Sequence, residues 1–158
     1  MIELVEYQPQ HFAELTSYTL PEEQAVFSRT PVELLNNPRI DDETERSYYT
    51  ILYNDQAVGF FFLDFTHDRW YKPGDHKAAL LRALTLNPDF QGKGIAKNTM
   101  LQLPELVKRY FPDIHEIGFG VNVKNTHAYQ LYLKSGYEDS GEIFTGPRGP
   151  QHVMVKKF

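Results

Sequence analysis

The sequence contains no cysteine, and this absence removes several classes of site at once. Disulfide bridges, thiol nucleophiles and thiolate metal ligands are excluded throughout its 158 residues. No apolar run approaches the ~20 residues needed to cross a bilayer, and Met1–Glu6 lacks the basic and apolar regions of a signal peptide. A net charge of −5 argues against nucleic acid as the main partner. We therefore expect a cytoplasmic protein with no metal site and no membrane or nucleic-acid partner.

The order of periodic segments indicates how the chain is organised. Apolar and charged residues make up 41% and 23% of the sequence, as is usual for a globular protein, and its length suits one domain over residues 1–158. Alternating and helical patterns follow the order β-α-α-β-β-β-α-β-α-β-β. This order predicts one α/β (α+β) domain with a mixed, mainly antiparallel sheet of about seven strands and helices on both faces.

Several local predictions accompany this order. The N-terminal third should contain three helices: Pro9–Thr19 with Phe12, Leu15 and Tyr18 inward, Pro21–Arg29, and a helix capped by Thr30 that ends at Asn37-Pro38. A later helix, beginning at Ile95, should bury Met100, Leu103, Val107 and Tyr110, and Pro104 should kink or split it. Glycines 118 and 120 lie inside the next predicted strand, where they indicate a bulge or a close backbone approach.

A strand, a glycine loop and a helix start follow one another near the middle of the chain. Ala79–Leu86 is a mostly apolar strand, and Pro88 stops its hydrogen-bonding ladder. Gly92 and Gly94 permit a positive φ and close approach of a ligand. Apolar residues return at helical spacing from Ile95, so the first helical amides should point at open space. Such a helix start is an anion site suited to phosphate. The loop is neither a P-loop nor Gly-x-Gly-x-x-Gly.

A second group of residues lies about thirty positions later. Asn125 is a good helix cap, and Ala128 and Tyr132 share a helical face with Tyr129 beside them. Tyr132 can donate a proton from its phenol, although the same residues could also be an ordinary cap and core residues. Together, Gln91-x-x-Gly94-x-Ala96 and Asn125-x-x-Ala128-x-x-Leu-Tyr132-x-Lys-x-Gly-Tyr137 closely resemble the two hallmark motifs of the GNAT superfamily of N-acetyltransferases.

The resemblance implies a fold in which two central strands splay apart, with acetyl-CoA between them and CoA as product. Backbone groups of Leu84, Thr85 and Leu86 would pair with the pantetheine. The pyrophosphate would be held at the residues Gln91, Gly92, Lys93, Gly94, Ile95 and Ala96, with Lys97 neutralising phosphate charge. Asn125 would fix the amide end of the coenzyme, with Ala128 leaving room and Tyr129 packing alongside.

The implied reaction is direct attack of an amine on the thioester, in which Tyr132 would be the general acid and the amide of Leu86 would polarise the carbonyl. The base is open. Gly120 stands where some relatives carry glutamate, and Asn122 lies nearby but cannot take up a proton. Asp64, His67, Asp68 and His76 could act directly or through water, although a solvated surface role is the commoner one. The free-amine fraction of the substrate could also suffice.

The substrate is expected to be a small-molecule or peptide amine. Acidic residues of the N-terminal half would suit a polyamine or another cation: Glu22, Glu23, Asp41, Asp42, Glu43 and Glu45. An acidic surface on an acidic protein is equally ordinary. Two alternatives stay open, a CoA-binding module of the same fold without catalysis and an unrelated binder of nucleotide phosphates. A homodimer is also left open.

Overall fold

The computed structural model describes residues 1–22, 31–35 and 45–158. Its strands are β1 Ile2–Glu6, β2 Arg46–Tyr53, β3 Gln56–Asp64, β4 Ala78–Leu86, β5 Glu116–Asn122, β6 Glu138–Gly146 and β7 Gly149–Lys157. Its helices are α1 Phe12–Leu15, α2 Pro31–Leu35, α3 Ile95–Tyr110 and α4 Thr126–Lys134, with short 3₁₀ turns at Pro9–His11 and Pro88–Phe90. The predicted helix Pro21–Arg29, the Thr30 cap and the Asn37-Pro38 terminus lie mainly or wholly outside the described residues.

All seven strands form one sheet in the order β1-β2-β3-β4-β5-β7-β6. Every neighbouring pair is antiparallel except β4 and β5, which are parallel. Tight turns explain several pairings: Asn54 and Asp55 both have positive φ between β2 and β3, as a two-residue hairpin requires. The prediction of a mixed, mainly antiparallel sheet of seven strands is confirmed.

Helices pack on both faces of this sheet, and strand β3 shows how its residues divide between them. Phe61 and Leu63 belong to the core that includes α3 residues such as Met100 and Leu103. Phe60 and Phe62 point the other way and pack with residues of α1 and α2: Leu15, Leu34 and Leu35. This alternation follows from the two-residue period of a strand. The prediction of helices on both faces is confirmed.

Three details of the helices differ from the sequence-based expectations. Helix α3 runs from Ile95 to Tyr110 as a single helix with Pro104 inside it, so it is not split. Met100, Leu103 and Val107 are buried as predicted, but Tyr110 is 58% exposed because the helix has nearly ended there. Leu15 and Tyr18 are buried, whereas Phe12 is exposed at the start of the short helix α1.

Candidate active site

The site begins where the two parallel strands separate. β4 and β5 pair only through Ala78–Leu80 and Glu116–Gly118, and no register continues beyond them. Strand β4 also contains a bulge: Ala83 has φ 61°, and two residues of β4 oppose one residue of β3. Residues Arg82–Leu84 are only half-buried, unlike the rest of the strand. The described part of the sheet therefore opens at its centre.

A cleft of about 860 Å³ occupies this opening. Most residues predicted from the two motifs line it. They are Leu84, Thr85, Leu86, Gln91, Gly92, Gly94, Ile95, Ala96, Lys97, Asn122, Asn125, Ala128 and Tyr132. Lys93 and Tyr129 are not among the lining residues. The structure thus brings one strand end, one glycine loop and one helix face into a common cavity.

The glycine loop forms a helix start that is open to the cleft. Gly92 and Gly94 both have φ 78°, a conformation that side-chain-bearing residues rarely adopt, and a Cβ at either position would meet no atom within 4 Å. Gly94 is the N-cap of α3. Its carbonyl accepts the first hydrogen bond of the helix, from the backbone amide of Asn98. The amides of the first turn therefore lack intrahelical acceptors, and Lys97 lies beside them. This geometry suits a phosphate group.

The second motif forms the opposite wall. Asn125 caps α4, since its Oδ1 accepts a hydrogen bond from the Ala128 amide at 3.3 Å. The helix ends before Gly136, which has φ 90°, as a C′ glycine should. Tyr137 is buried, and its hydroxyl donates to the Met100 carbonyl at 2.9 Å, which ties the end of α4 to α3. The residues of the motif thus have a structural role as well as a place in the cleft.

Tyr132, the predicted general acid, belongs to this wall. Its ring packs edge-on against Phe119 of β5, with 4.8 Å between ring centroids. Burial raises the pKa of the phenol to about 12. A raised pKa keeps the hydroxyl protonated throughout the physiological range, which is the form that a general acid needs.

Three predicted site residues have different surroundings. Tyr129 turns away from the cleft: its hydroxyl donates to Asp139 at 2.9 Å, and its ring packs against His152. Lys93 is an exposed loop residue outside the lining. Asn122 lines the cleft, but its Nδ2 donates to the Arg148 carbonyl at 2.8 Å and its Oδ1 accepts from the Lys124 amide. Through these contacts Asn122 connects the turn after β5 to the turn between β6 and β7.

None of the four predicted bases lies in the lining. His67, Asp68 and His76 are exposed residues of the loop between β3 and β4. Asp64 is fully buried and ion-paired with Arg82 and Arg46 at 3.1 and 3.7 Å. Burial alone would raise the pKa of Asp64, but hydrogen bonds from Thr66 and Arg82 and the charge of Arg46 together lower it. Asp64 is therefore a structural anion, and the described residues of the lining include no carboxylate.

Sequence reasoning missed several lining residues, among them Arg82, Lys124, Arg148 and Gln151. Gly120 was the available signal, because a glycine in a strand indicates a close approach without showing by what. In the structure, the approaching group is the side chain of Gln151 from β7. Similarly, the ring of Tyr71 lies against Gly118. Among the described residues, no cluster of His, Asp or Glu has an arrangement that could hold a metal ion.

This arrangement agrees with the comparison with protein families. The model of the acetyltransferase (GNAT) family matches residues 12–137, which include both motifs and the splayed strands. The chain belongs to the GNAT family of acetyltransferases. It is also 39% identical over 155 residues to an uncharacterized N-acetyltransferase, YbbJ, of Bacillus subtilis. That match covers 97% of this chain and 95% of the relative.

Solved GNAT structures share the whole fold. The aminoglycoside acetyltransferase AAC(6')-Ib, solved in complex with coenzyme A, superimposes with a TM-score of 0.80 at 20% identity, covering 99% of this chain and 95% of that one. The spermidine N-acetyltransferase from Vibrio cholerae, solved with CoA and spermine, gives a TM-score of 0.73 at 16% identity with the same coverage. At these identities the likeness establishes the fold. Within the described residues, no helix is long and apolar enough to span a membrane.

Proposed function

We propose that this GNAT acetyltransferase transfers an acetyl group from acetyl-CoA directly to a primary amine. The observation that carries the proposal is the cleft between β4 and β5, which joins an open helix start to a protonated Tyr132. A coenzyme with a phosphorylated end and a thioester end fits such a cavity. Several solved GNAT neighbours, including an aminoglycoside and a spermidine acetyltransferase, were crystallised with CoA or acetyl-CoA.

The residues that would hold acetyl-CoA lie on three sides of the cleft. The first-turn amides of α3, the glycine loop and Lys97 would bind the pyrophosphate through hydrogen bonds and charge. The half-exposed backbone of Leu84 and the end of β4 at Leu86 would hydrogen-bond the pantetheine as an added strand. Asn125 and Ala128 would line the other side. Tyr129, which faces Asp139 instead, is omitted from this set.

The chemistry requires a polarised carbonyl and a protonated leaving thiolate. When bound, acetyl-CoA supplies an activated acyl group, and the chain supplies the groups around it. The amide of Leu86 is our candidate for the hydrogen bond to the carbonyl oxygen. Tyr132 would donate its phenolic proton to the departing sulfur. With no cysteine in the chain, an acyl-cysteine intermediate is excluded.

Deprotonation of the amine is the remaining requirement. No carboxylate lies in the described lining, and His127, which does line it, is exposed near the start of α4. We therefore propose that the acceptor reacts as the free amine. Water takes up the one proton that the nitrogen loses on forming the amide, and this proton replaces the one that Tyr132 gives to the sulfur. The rate constant kcat/KM for the amine should then rise with pH toward the pKa of that amine.

The decisive experiment measures thiol release from acetyl-CoA with a panel of amines: polyamines, aminoglycosides, amino-acid amides and short peptides. We expect turnover with at least one class and formation of the N-acetyl product by mass spectrometry. The matched control measures the shift in unfolding temperature that each ligand causes. Acetyl-CoA and CoA should stabilise the chain, and ATP should not.

The two measurements separate the alternatives. Stabilisation by acetyl-CoA without acetylation of any amine would favour a CoA-binding module of the same fold. Equal stabilisation by ATP and acetyl-CoA would overturn the assignment of the cleft to the coenzyme.

A further inference from the structure

The proposed function does not say which residue binds the acceptor amine. The two faces of the sheet limit the residues that could do so. Helices α3 and α4 cover one face, where Ile117, Phe119 and Val121 of β5 are buried against them. An amine that attacks a thioester held between β4 and β5 must therefore approach from the opposite face. We call this the acceptor face; on β5 it carries the alternate residues Gly118, Gly120 and Asn122.

Gly120 has no side chain, and this leaves a gap on the acceptor face of β5, at the point where the cleft widens. An ideal Cβ at this position would lie 2.1 Å from Oε1 of Gln151, so the amide oxygen of Gln151 occupies the space of a missing side chain. Gln151 pairs with Asn122 across β5 and β7, which places both side chains on the same face. Both Gly120 and Gln151 line the cleft.

The side-chain amide of Gln151 is half-buried and available. Among the described residues, none forms a hydrogen bond with it, although Asn122 beside it is fully engaged by backbone groups. An amide oxygen in a partly desolvated cleft gains from a hydrogen-bond donor, which the N–H of an amine supplies and which an ammonium group supplies more strongly. A glutamine cannot take up a proton at neutral pH, so its role is to bind and orient the nitrogen.

Neighbouring groups fit an amine bound at this point. Trp70 and Phe144 stack at 4.2 Å on the same face, and Phe144 pairs directly with Gln151 across the β6–β7 hairpin. On the other side of the opening, Thr85 lines the cleft on the acceptor face, and its buried hydroxyl faces that of Tyr18. The acceptor face thus offers the amide oxygen of Gln151 beside a stacked aromatic pair.

We propose that Oε1 of Gln151, held in the gap above Gly120, accepts a hydrogen bond from the acceptor amine and fixes it for attack on the thioester. The inference rests on the proposed function, since it assigns the amine-binding residue of the same site. It predicts a role in amine binding that is separable from coenzyme binding.

The test compares three substitutions of Gln151 that differ in shape and in oxygen. Gln151→Met keeps the length but removes the acceptor oxygen, and Gln151→Ala removes both. Each should raise KM for the amine about tenfold, as expected for the loss of one hydrogen bond, while KM for acetyl-CoA changes less than about twofold. Gln151→Glu keeps an oxygen in place and should retain a KM for the amine within about threefold of the native value. Gln56→Ala, in the exposed β2–β3 hairpin, is the matched control.

A double-mutant cycle with Gly120 adds a readout that a merely structural role would not give. The Cβ of Gly120→Ala would displace Oε1, so this variant should reproduce the raised KM of Gln151→Ala. In the Gln151→Ala background, Gly120→Ala should have little additional effect on KM for the amine. Fully additive effects would contradict the proposal.

The failure of this inference differs from failure of the proposed function. Native-like KM for the amine in Gln151→Met, or a raised KM for acetyl-CoA alone, would overturn the role of Gln151. Calorimetric titration of the amine panel into the CoA complex measures amine binding independently of acetyl transfer. The absence of any amine binding would overturn this inference. Amine binding that Gln151→Met weakens, without acetyl transfer, would support the inference and overturn the proposed function.

Discussion

The surroundings of Tyr132 suit the role of general acid that we propose for it. Its phenol lines the cleft while its ring rests edge-on against Phe119, so the side chain is held from both sides. Burial raises the pKa of the phenol to about 12. A phenol with this pKa stays protonated at physiological pH, so the proton is present when a thiolate forms next to it.

We expect Tyr132→Phe to lower kcat by about 100-fold, the lower end of the range for general acid catalysis, with KM for acetyl-CoA nearly unchanged. The acid must be protonated to act, and its raised pKa keeps it so until the pH approaches 12. The native kcat should therefore show no falling limb between pH 7 and 10 in stopped-flow or thiol-release assays. Tyr110→Phe, at an exposed position in α3, controls for loss of a hydroxyl. An unchanged kcat in Tyr132→Phe would remove Tyr132 from the mechanism.

At the scale of elements, the two glycines of β5 let neighbouring segments approach the strand. Gln151 fills the space at Gly120, and the Tyr71 ring fills that at Gly118, where an ideal Cβ would lie 2.2 Å from Cζ. The Tyr71 hydroxyl donates to Glu116, which also binds Lys72 at 2.5 Å. The loop between β3 and β4 is thereby fastened to the start of β5, at the point from which β4 and β5 diverge.

Gly118→Ala should therefore destabilise the fold by about 1–3 kcal/mol, because a rigid ring and backbone cannot make room for the added methyl group. Urea unfolding with a constant m-value would measure the change. In a Tyr71→Ala background, the added cost of Gly118→Ala should be much smaller, since the ring that it meets is gone. Gly118→Ala with native stability would show that the ring does not rest on the strand in solution.

Local sequence signals predicted those parts of the site that depend on local geometry. Positive φ follows from Gly92 and Gly94, and a helix cap from Asn125, because each residue type alone carries the physical reason. The bulge at Ala83 could not be predicted in this way, because alanine has no preference for φ 61° and is held there by tertiary structure. Gln151 was missed for the same reason, since its partner Gly120 lies thirty-one residues away in the sequence and is adjacent only in the sheet.

At the scale of the molecule, the sheet is continuous at both sides and open at its centre. β3 and β4 pair over most of their length, as do β5 and β7, whereas β4 and β5 share only three paired positions. The two halves are joined further by the core under α3 and α4. A coenzyme arm that pairs with the open edge of β4 would supply the hydrogen bonds that the neighbouring strand does not.

This arrangement predicts a localised effect of acetyl-CoA on amide hydrogen exchange. Amides that face the opening in Arg82–Leu86, together with those of the first turn of α3, should exchange about 100-fold more slowly when the coenzyme is present at 100 times its Kd. Amides of the exposed β2–β3 turn, which lies outside the cleft, should keep their rates. Mass spectrometry of peptides from both regions provides the comparison. Equal protection of the turn and of β4 would mean that the coenzyme acts through global stability alone and does not complete the edge of β4.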